Sequence, residues 1–239
     1  MPLVDKCHLV AKDAQWHYHL PSRDSTPSAD KSTVYEPDPE SMSLRERKKV
    51  ERRAQLLDIA HRLFHEKGFA NTTIEEICDE AMISKRTFFR YFPDKESLVF
   101  PNRDERLEQF VRFLGMHSDV DNPFDALRDA TRLFSSRYNE NKDKILAQQA
   151  LIQSSQSLLA RERAIDRDWE EAIAAAFAAR SEPGPETELW SAVLAGAVMG
   201  VVRATMRCWF AGDCERNLGE LGLTAIDCLE QGFPKRMVV

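Results

Sequence analysis

The residues best suited to chemistry sit in one short tract. From Ser84 to Phe92 the chain reads Ser-Lys-Arg-Thr-Phe-Phe-Arg-Tyr-Phe, with Lys85, Arg86, Thr87, Arg90 and Tyr91 as donors and no acid among them. Clustered donors free of neighbouring carboxylates suit base edges and phosphates, because nothing beside them repels the polyanion. A second tract precedes it. Residues 45–53 hold six cations (Arg45, Arg47, Lys48, Lys49, Arg52, Arg53) against Glu46 and Glu51, a pattern suited to phosphate contact. Other chemistries find less support. His17-x-His19 and His61-x-x-x-His65 offer two ligands each, fewer than a zinc site needs, so no metal site is expected. The five cysteines include no CxxC pair, which argues against a disulfide framework. Cys208, Cys214 and Cys228 could form a redox switch, but small buried thiols are the plainer reading. GxSxG, phosphate-loop, GxGxxG and HExxH motifs are absent, so neither enzymatic activity nor a cofactor is expected.

The donors need elements to position them. Leu56, Ala60, Leu63 and Phe64 have helical spacing within Leu44 to Lys67, and Gly68 stands where a glycine would end that helix. Thr72 or Thr73, each followed three residues later by Glu, makes a capping box for a short helix with Ile74, Ile77 and Ala81 inward. Met82-Ile83 is the turn. Ser84 caps a third helix through Tyr91, which Pro93 stops, with Asp94 capping a fourth. Two short helices across a tight turn, after a longer helix with a basic entrance, form a helix-turn-helix. The N-terminus of the second helix, with Thr72 and Thr73, offers N–H groups to a phosphate.

Beyond this unit the sequence predicts helices near 94–117, 123–139, 142–154, 157–181, 186–211 and 217–232, in long proline-free tracts rich in Ala, Leu, Arg and Glu. Alternating β-branched runs are missing, so the fold class is all-α: a three-helix DNA-binding domain with the helix-turn-helix, followed by a helical domain whose ligand-binding and dimerisation roles are implied by the resemblance given below. The expected division is a disordered leader at 1–40, the helix-turn-helix domain at 41–93, and the remaining helices at 94–239, an effector and dimer domain by that same resemblance.

Net charge seems at first to oppose nucleic acid. The 239 residues hold 33 basic and 39 acidic side chains, a balance of −6. That balance is uneven: residues 1–44 carry −3, residues 45–100 carry +2 and residues 101–239 carry −5. It excludes a polybasic coating protein but permits a small basic head. No apolar run reaches the roughly 18 residues of a membrane span, and the N-terminus lacks a signal-type apolar region. A cytoplasmic protein without membrane association is the expectation.

The tract "RRAQLLDIAHRLFHEKGFANTTIEEICDEAMISKRTFFRYFPDKESLV" resembles the DNA-binding domain of the TetR family of bacterial regulators. The resemblance rests on the basic lead-in, Leu-Phe-x-x-x-Gly-Phe, Thr-Thr-Ile, Ile-Ser-Lys-x-Thr and Tyr-Phe-x-x-Lys at fixed spacing. It implies that Arg86 and Thr87 approach bases, that Lys85, Tyr91 and Lys95 contact phosphates, and that Ile74, Ile77, Ile83, Phe88 and Phe92 form the small core. Two departures stand out. Met82 replaces a usual turn glycine, where positive φ is costly. Phe89 replaces a common Tyr, favouring an apolar contact with a thymine methyl. Together with Arg45, Arg47, Lys48, Thr72, Thr73, Ser84 and Arg90, these are the candidate DNA-binding residues.

For the remainder, the resemblance implies a homodimer built on the last two helices, a palindromic double-stranded DNA operator and a small-molecule effector. Gly196-x-x-x-Gly200 lies in a tract of small apolar residues that fits a close helix seam. The dimer candidates are Gly196, Gly200, Met206, Leu221, Ile226 and Leu229. Phe110, Phe113, Leu114, Phe134, Leu151, Trp169, Phe177 and Met199 are the pocket candidates, with Arg203 as a cation for an anionic group. Few acids or histidines fall among them, so a mostly apolar effector is expected, and a looser C-terminal similarity implies an acyl-CoA-like one. The function so read is a ligand-released repressor. The alternatives are an all-α interaction protein keeping a vestigial helix-turn-helix, and a redox-responsive regulator.

Overall fold

The computed structural model describes residues 43–116 and 122–232. The expected leader at 1–40, with His17 and His19, lies outside the described residues. Among the described residues the regular structure is entirely helical: nine α-helices and one 3-10 turn.

Helix α1 (Leu44–Lys67) starts at a capping box in which the Ser43 hydroxyl accepts from Glu46 N–H and the Glu46 carboxylate accepts from Ser43 N–H at 2.9 Å. Its first three turns are mostly exposed, and burial begins at Leu56. Gly68, at φ 80°, ends it and donates its N–H to Phe64 O at 2.9 Å. Helix α2 (Ile74–Glu80) uses the second of the two possible boxes, Thr73 with Glu76. Helix α3 (Lys85–Tyr91) is capped by Ser84, whose hydroxyl accepts from Thr87 N–H at 3.1 Å.

The expected continuous helix over 94–117 is corrected. Asp94 does cap, accepting from Ser97 N–H at 2.7 Å, but it caps only a 3-10 turn, Glu96–Leu98. Helix α4 begins afterwards, at Arg103–Met116. Pro101 lacks the N–H that a continuing helix needs and restricts Phe100 before it. Asn102 then takes φ 58°, a left-handed conformation that asparagine tolerates better than most residues.

The remaining helices fall close to their expected limits: α5 (Pro123–Glu140), α6 (Lys142–Gln153), α7 (Gln156–Ala178), α8 (Pro185–Ala211) and α9 (Leu218–Gln231). Side chains of Asn122, Ser155 and Asn217 cap α5, α7 and α9. Helix α7 packs along α8, α9 lies against α5 and α8, and α4 rests on α7. Arg128 braces α5 to α9, donating to Asp227 at 2.8 Å and to Glu230. Its guanidinium is held charged, first by Glu230 and then by Asp227.

Three buried clusters result. The first joins Leu56, Phe64, Ile77, Phe88 and Phe92 to Leu98, Val99 and Phe100, and also to Ile152 and Leu158 from the α6–α7 corner. The core under the helix-turn-helix therefore crosses the expected boundary at residue 93. The second gathers Leu114, Ile173, Phe177, Met199 and Ile226, and the third surrounds Trp209.

Helix α8 holds an 18-residue window long and apolar enough to cross a membrane, which the count of unbroken apolar residues missed. One of its faces, with Ala195, Val198, Met199 and Trp209, is buried against the other helices. Leu189, Trp190 and Val193 are exposed on the opposite side, while Val202, four residues after Val198, is 45% exposed on the side of the buried stripe.

Helix α9 approaches α5 closely through glycine. A Cβ on Gly222 would stand 2.7 Å from the Thr131 methyl, well inside contact distance. Gly222→Ala gains about 1 kcal/mol of helix propensity but incurs an overpacking cost of about 1–3 kcal/mol. A net loss of up to about 2 kcal/mol is expected in urea unfolding. Adding Thr131→Ser, which removes that methyl, should turn the loss into a gain; no recovery would place the strain elsewhere.

Candidate nucleic-acid interface

Helix α3 stands on a closed apolar base. Phe88 is fully buried and meets the Phe92 ring at 5.9 Å, while Arg53 of α1 covers Phe92 at 5.1 Å. With 88 and 92 turned inward, helical spacing turns Lys85, Arg86, Phe89 and Arg90 outward, and all four are exposed. Arg86, Thr87, Phe89 and Arg90 line one shallow surface depression. Phe89 is 50% exposed although large and apolar, which suits a methyl-bearing base edge better than water. The Thr87 hydroxyl lies 3.0 Å from that of Ser84, and Arg90 lies over the Tyr91 ring.

Helix α2 carries four acids, three of which are ion-paired. Lys85 holds Glu75, Arg62 holds Glu80, and Lys67 Nζ reaches Glu76 at 2.7 Å. Lys67, together with the Thr73 capping bonds, lowers the Glu76 carboxyl to about 2. The Lys85 bond likewise lowers Glu75. The negative charge closest to α3 is thereby partly neutralised within the protein, which reduces repulsion of a polyanion. Lys85 must exchange Glu75 for a phosphate if it is to make one.

Two expected DNA contacts take other roles. Thr72 is fully buried, and its hydroxyl donates to Leu63 O at 3.2 Å and Gly68 O at 2.9 Å, so it closes the α1–α2 loop. Thr73 remains exposed as the cap of α2. Lys95 turns inward: its ammonium donates to Phe69 O at 2.7 Å and Thr72 O at 2.8 Å and lies 4.2 Å from the centre of the Phe69 ring. Burial lowers its pKa. Lys95 thus ties the end of α3 back to the loop before α2. Sequence position carried it outward by analogy, whereas the carbonyls it bonds belong to residues more than twenty positions earlier.

The entrance cations Arg45, Arg47 and Lys48 are all exposed on the first turns of α1. Met82 carries the feared turn strain, at φ 51° with an 88% exposed side chain. Met82→Gly should relieve a left-handed cost of about 1–2 kcal/mol while adding about 0.5–1 kcal/mol of unfolded-chain entropy. A rise in melting temperature is expected; a fall would mean that the methionine packs favourably in a way its exposure hides.

In the second half, the structure brings together only some of the pocket candidates. Phe110 meets Phe134 at 5.8 Å and Trp169 at 5.4 Å, and Phe113 meets Phe134 at 6.2 Å. Leu114, Phe177 and Met199 are instead buried in the packed second cluster, and Leu151 packs against the helix-turn-helix core. Arg203 is half-exposed, 3.9 Å from Asp166 and 3.8 Å from Glu170, so it faces the outside of α7 and α8. Of the dimer candidates, Ile226 is buried within this chain, and Met206 and Leu221 pack on the Trp209 cluster. Leu229 and Gly196 are half-buried, and a Cβ on Gly200 would meet nothing. The exposed Leu189, Trp190, Val193 and Val202 were missed. Leu189 and Val193, four apart with Trp190 between them and opposite the buried stripe, were the available signal.

Comparison with known proteins follows these two halves. Residues 56–100 match the model described as bacterial regulatory proteins, tetR family, and residues 121–234 match the MftR C-terminal domain. The chain is 28% identical over 178 residues to the HTH-type transcriptional regulator TcmR of Streptomyces glaucescens, covering 72% of this chain and 79% of that one. It is 25% identical over 181 residues to a mycofactocin biosynthesis transcriptional regulator, MftR, of Mycobacterium tuberculosis, covering 74% and 89%. The transcriptional regulator FadR of Bacillus subtilis, solved with stearoyl-CoA, shares the fold at TM-score 0.50 and 17% identity, covering 76% of this chain and 99% of that one.

Proposed function

The chain belongs to the TetR family of bacterial regulators, and from that premise we propose that it is a homodimeric repressor released from its operator by a small, mostly apolar effector. The observation that carries the DNA half is α3 itself: a donor-bearing, acid-free helix held outward on a buried Phe88–Phe92 base. Arg86 and Thr87 read bases, Phe89 meets a thymine methyl, and Arg45, Arg47, Lys48, Lys85, Arg90 and Tyr91 hold phosphates. Thr73 and Ser84 contribute from the helix starts. Residues 41–93 act as the reading unit and 94–239 as the effector and dimer unit, and action on DNA places the protein in the cytoplasm.

The dimer is supported by the outward face of α8. Leu189, Trp190 and Val193 leave apolar area in water that a second copy removes. Two-fold symmetry then presents two α3 helices to half-sites about 34–36 Å apart. The effector half is supported by the partly exposed aromatic group of Phe110, Phe113, Phe134 and Trp169. An acyl-CoA-like effector remains an arm of the tests. A thiol switch is disfavoured at Cys78 and Cys214, where burial pushes the thiol up and away from the reactive thiolate.

The reading is tested by incubating the purified full chain with sheared genomic DNA and sequencing the retained fragments. Recovery of a palindrome is the expected result. Retention without any shared sequence, or none at all, would leave the vestigial helix-turn-helix as the better account.

A further inference from the structure

We infer that the effector is an aromatic carboxylate, or an equivalent ring-borne oxyanion, gripped by Arg106 between α4 and α5. This rests on the reading above that the C-terminal helices hold an effector, and it names that effector's chemistry.

Two rungs cross between α4 and α5, one helical turn apart. On the first, Arg106 Nη1 donates to the Tyr138 hydroxyl at 3.3 Å. On the second, the Phe110 and Phe134 rings meet at 5.8 Å. Residues 106 and 110, like 134 and 138, are four apart and so share a helix face. The first rung is polar and cationic, and the second is aromatic and continues to Trp169 of α7 at 5.4 Å. All three of these rings are only partly buried, although they touch one another within the helical array. Phe110 and Trp169 pack on the rim of the second cluster, where they keep an exposure that Leu114 and Ile173, each 1% exposed, do not have.

The polar rung is incomplete. Arg106 Nε is buried and has no hydrogen-bond partner among the described residues. Arg103, three residues earlier, is by contrast held by Asp104 at 2.7 Å and Asp168 at 2.6 Å. A buried guanidinium N–H without an acceptor is costly, so an acceptor supplied from outside gains the full difference. One turn before Trp209, whose ring meets Tyr138, the buried Thr205 hydroxyl also has no partner among the described residues. The separation of the rungs, about 6 Å for four residues of helix, matches the span from the far ring of a two-ring aromatic acid to its carboxylate. A guanidinium fork matches a carboxylate in geometry as well as in charge.

The test uses the full chain and four probes: 2-naphthoate, its uncharged isostere 2-naphthamide, dodecanoate and lauroyl-CoA. Binding is followed by tryptophan quenching and calorimetry. 2-Naphthoate should bind at least tenfold more tightly than 2-naphthamide and more tightly than either chain-bearing probe. Arg106→Met, which keeps the packing volume, should abolish the naphthoate preference while naphthamide affinity and the apoprotein's operator affinity stay unchanged. Equal binding of acid and amide, a preference that survives in Arg106→Met, tighter binding of dodecanoate or lauroyl-CoA, or no binding of any probe would each overturn the proposal. Operator affinity without probe separates the two readings: its absence in the wild type sinks the regulator and leaves the naphthoate preference standing or falling by itself.

Discussion

Leu158→Ala should destabilise the protein by about 2–5 kcal/mol and weaken operator binding, although Leu158 lies on α7, far along the chain from α3. Leu158 is fully buried and belongs to the same apolar cluster as Phe88 and Phe92. The α6–α7 corner is further tied to the segment after α3. Arg161 approaches Asp94 at 3.5 Å, and Gln148 donates to the carbonyl of Val99. His61 of α1 lies 3.1 Å from the Leu98 carbonyl, which fixes the same segment from the other side. A cavity at position 158 therefore loosens the base on which α3 stands. The loss is read by urea unfolding, and the loosening by faster amide exchange in α2 and α3 than in α8. Leu158→Met, nearly volume-conserving, should cost less than about 1.5 kcal/mol and leave binding intact. Unchanged exchange in α2 and α3 after Leu158→Ala would show that the corner does not support the reading helix. The same connection gives the regulator its route, because an effector seated against α7 acts on a helix whose first turn lies in the core of the reading unit. The short 3-10 turn and Pro101 make α4 alone a poorer lever than an unbroken helix from 94 would have been.

Arg86→Ala should weaken operator binding by about 1–3 kcal/mol per head, roughly 5- to 150-fold, and by about twice that free energy in a dimer that reads two half-sites. Arg86 is exposed beside Thr87 and Phe89 in one depression. Loss of a base contact lowers specific affinity while leaving binding to unrelated DNA nearly unchanged, apart from one fewer charge per head. Arg86→Lys keeps the charge but not the two-pronged geometry, so it should restore unspecific binding and not base preference. Fluorescence anisotropy with the operator and a shuffled duplex separates these outcomes. An equal drop on both duplexes would reassign Arg86 to the phosphates.

Most of the helical framework was legible because its signals are local. The capping box at Thr73, the cap at Ser84, and glycine at 68 each act within a few residues of chain. What escaped depended on distant partners. Thr72 and Lys95 sit at positions where exposure was expected, yet their bonds go to Leu63, Gly68 and Phe69 across folded loops. Periodicity showed that Leu151 is apolar but not that it faces the helix-turn-helix core and not the effector helices. Nothing in the sequence singles out Arg106, because one-dimensional spacing cannot show that Tyr138 meets it and that Nε is left buried. Pro101 is visible in the sequence, and it breaks the helix that the pattern on either side suggests.

The central claim is that two small basic heads, and not the net charge of −6, govern the encounter with DNA. Operator affinity measured against salt concentration tests it most directly. With five cationic phosphate contacts per head, from Arg45, Arg47, Lys48, Lys85 and Arg90, log K should fall linearly with log salt at a slope of about −9, and Lys48→Ala should make the slope shallower by about 2 in the dimer. A slope near zero, or one that Lys48→Ala leaves unchanged together with affinity, would contradict it.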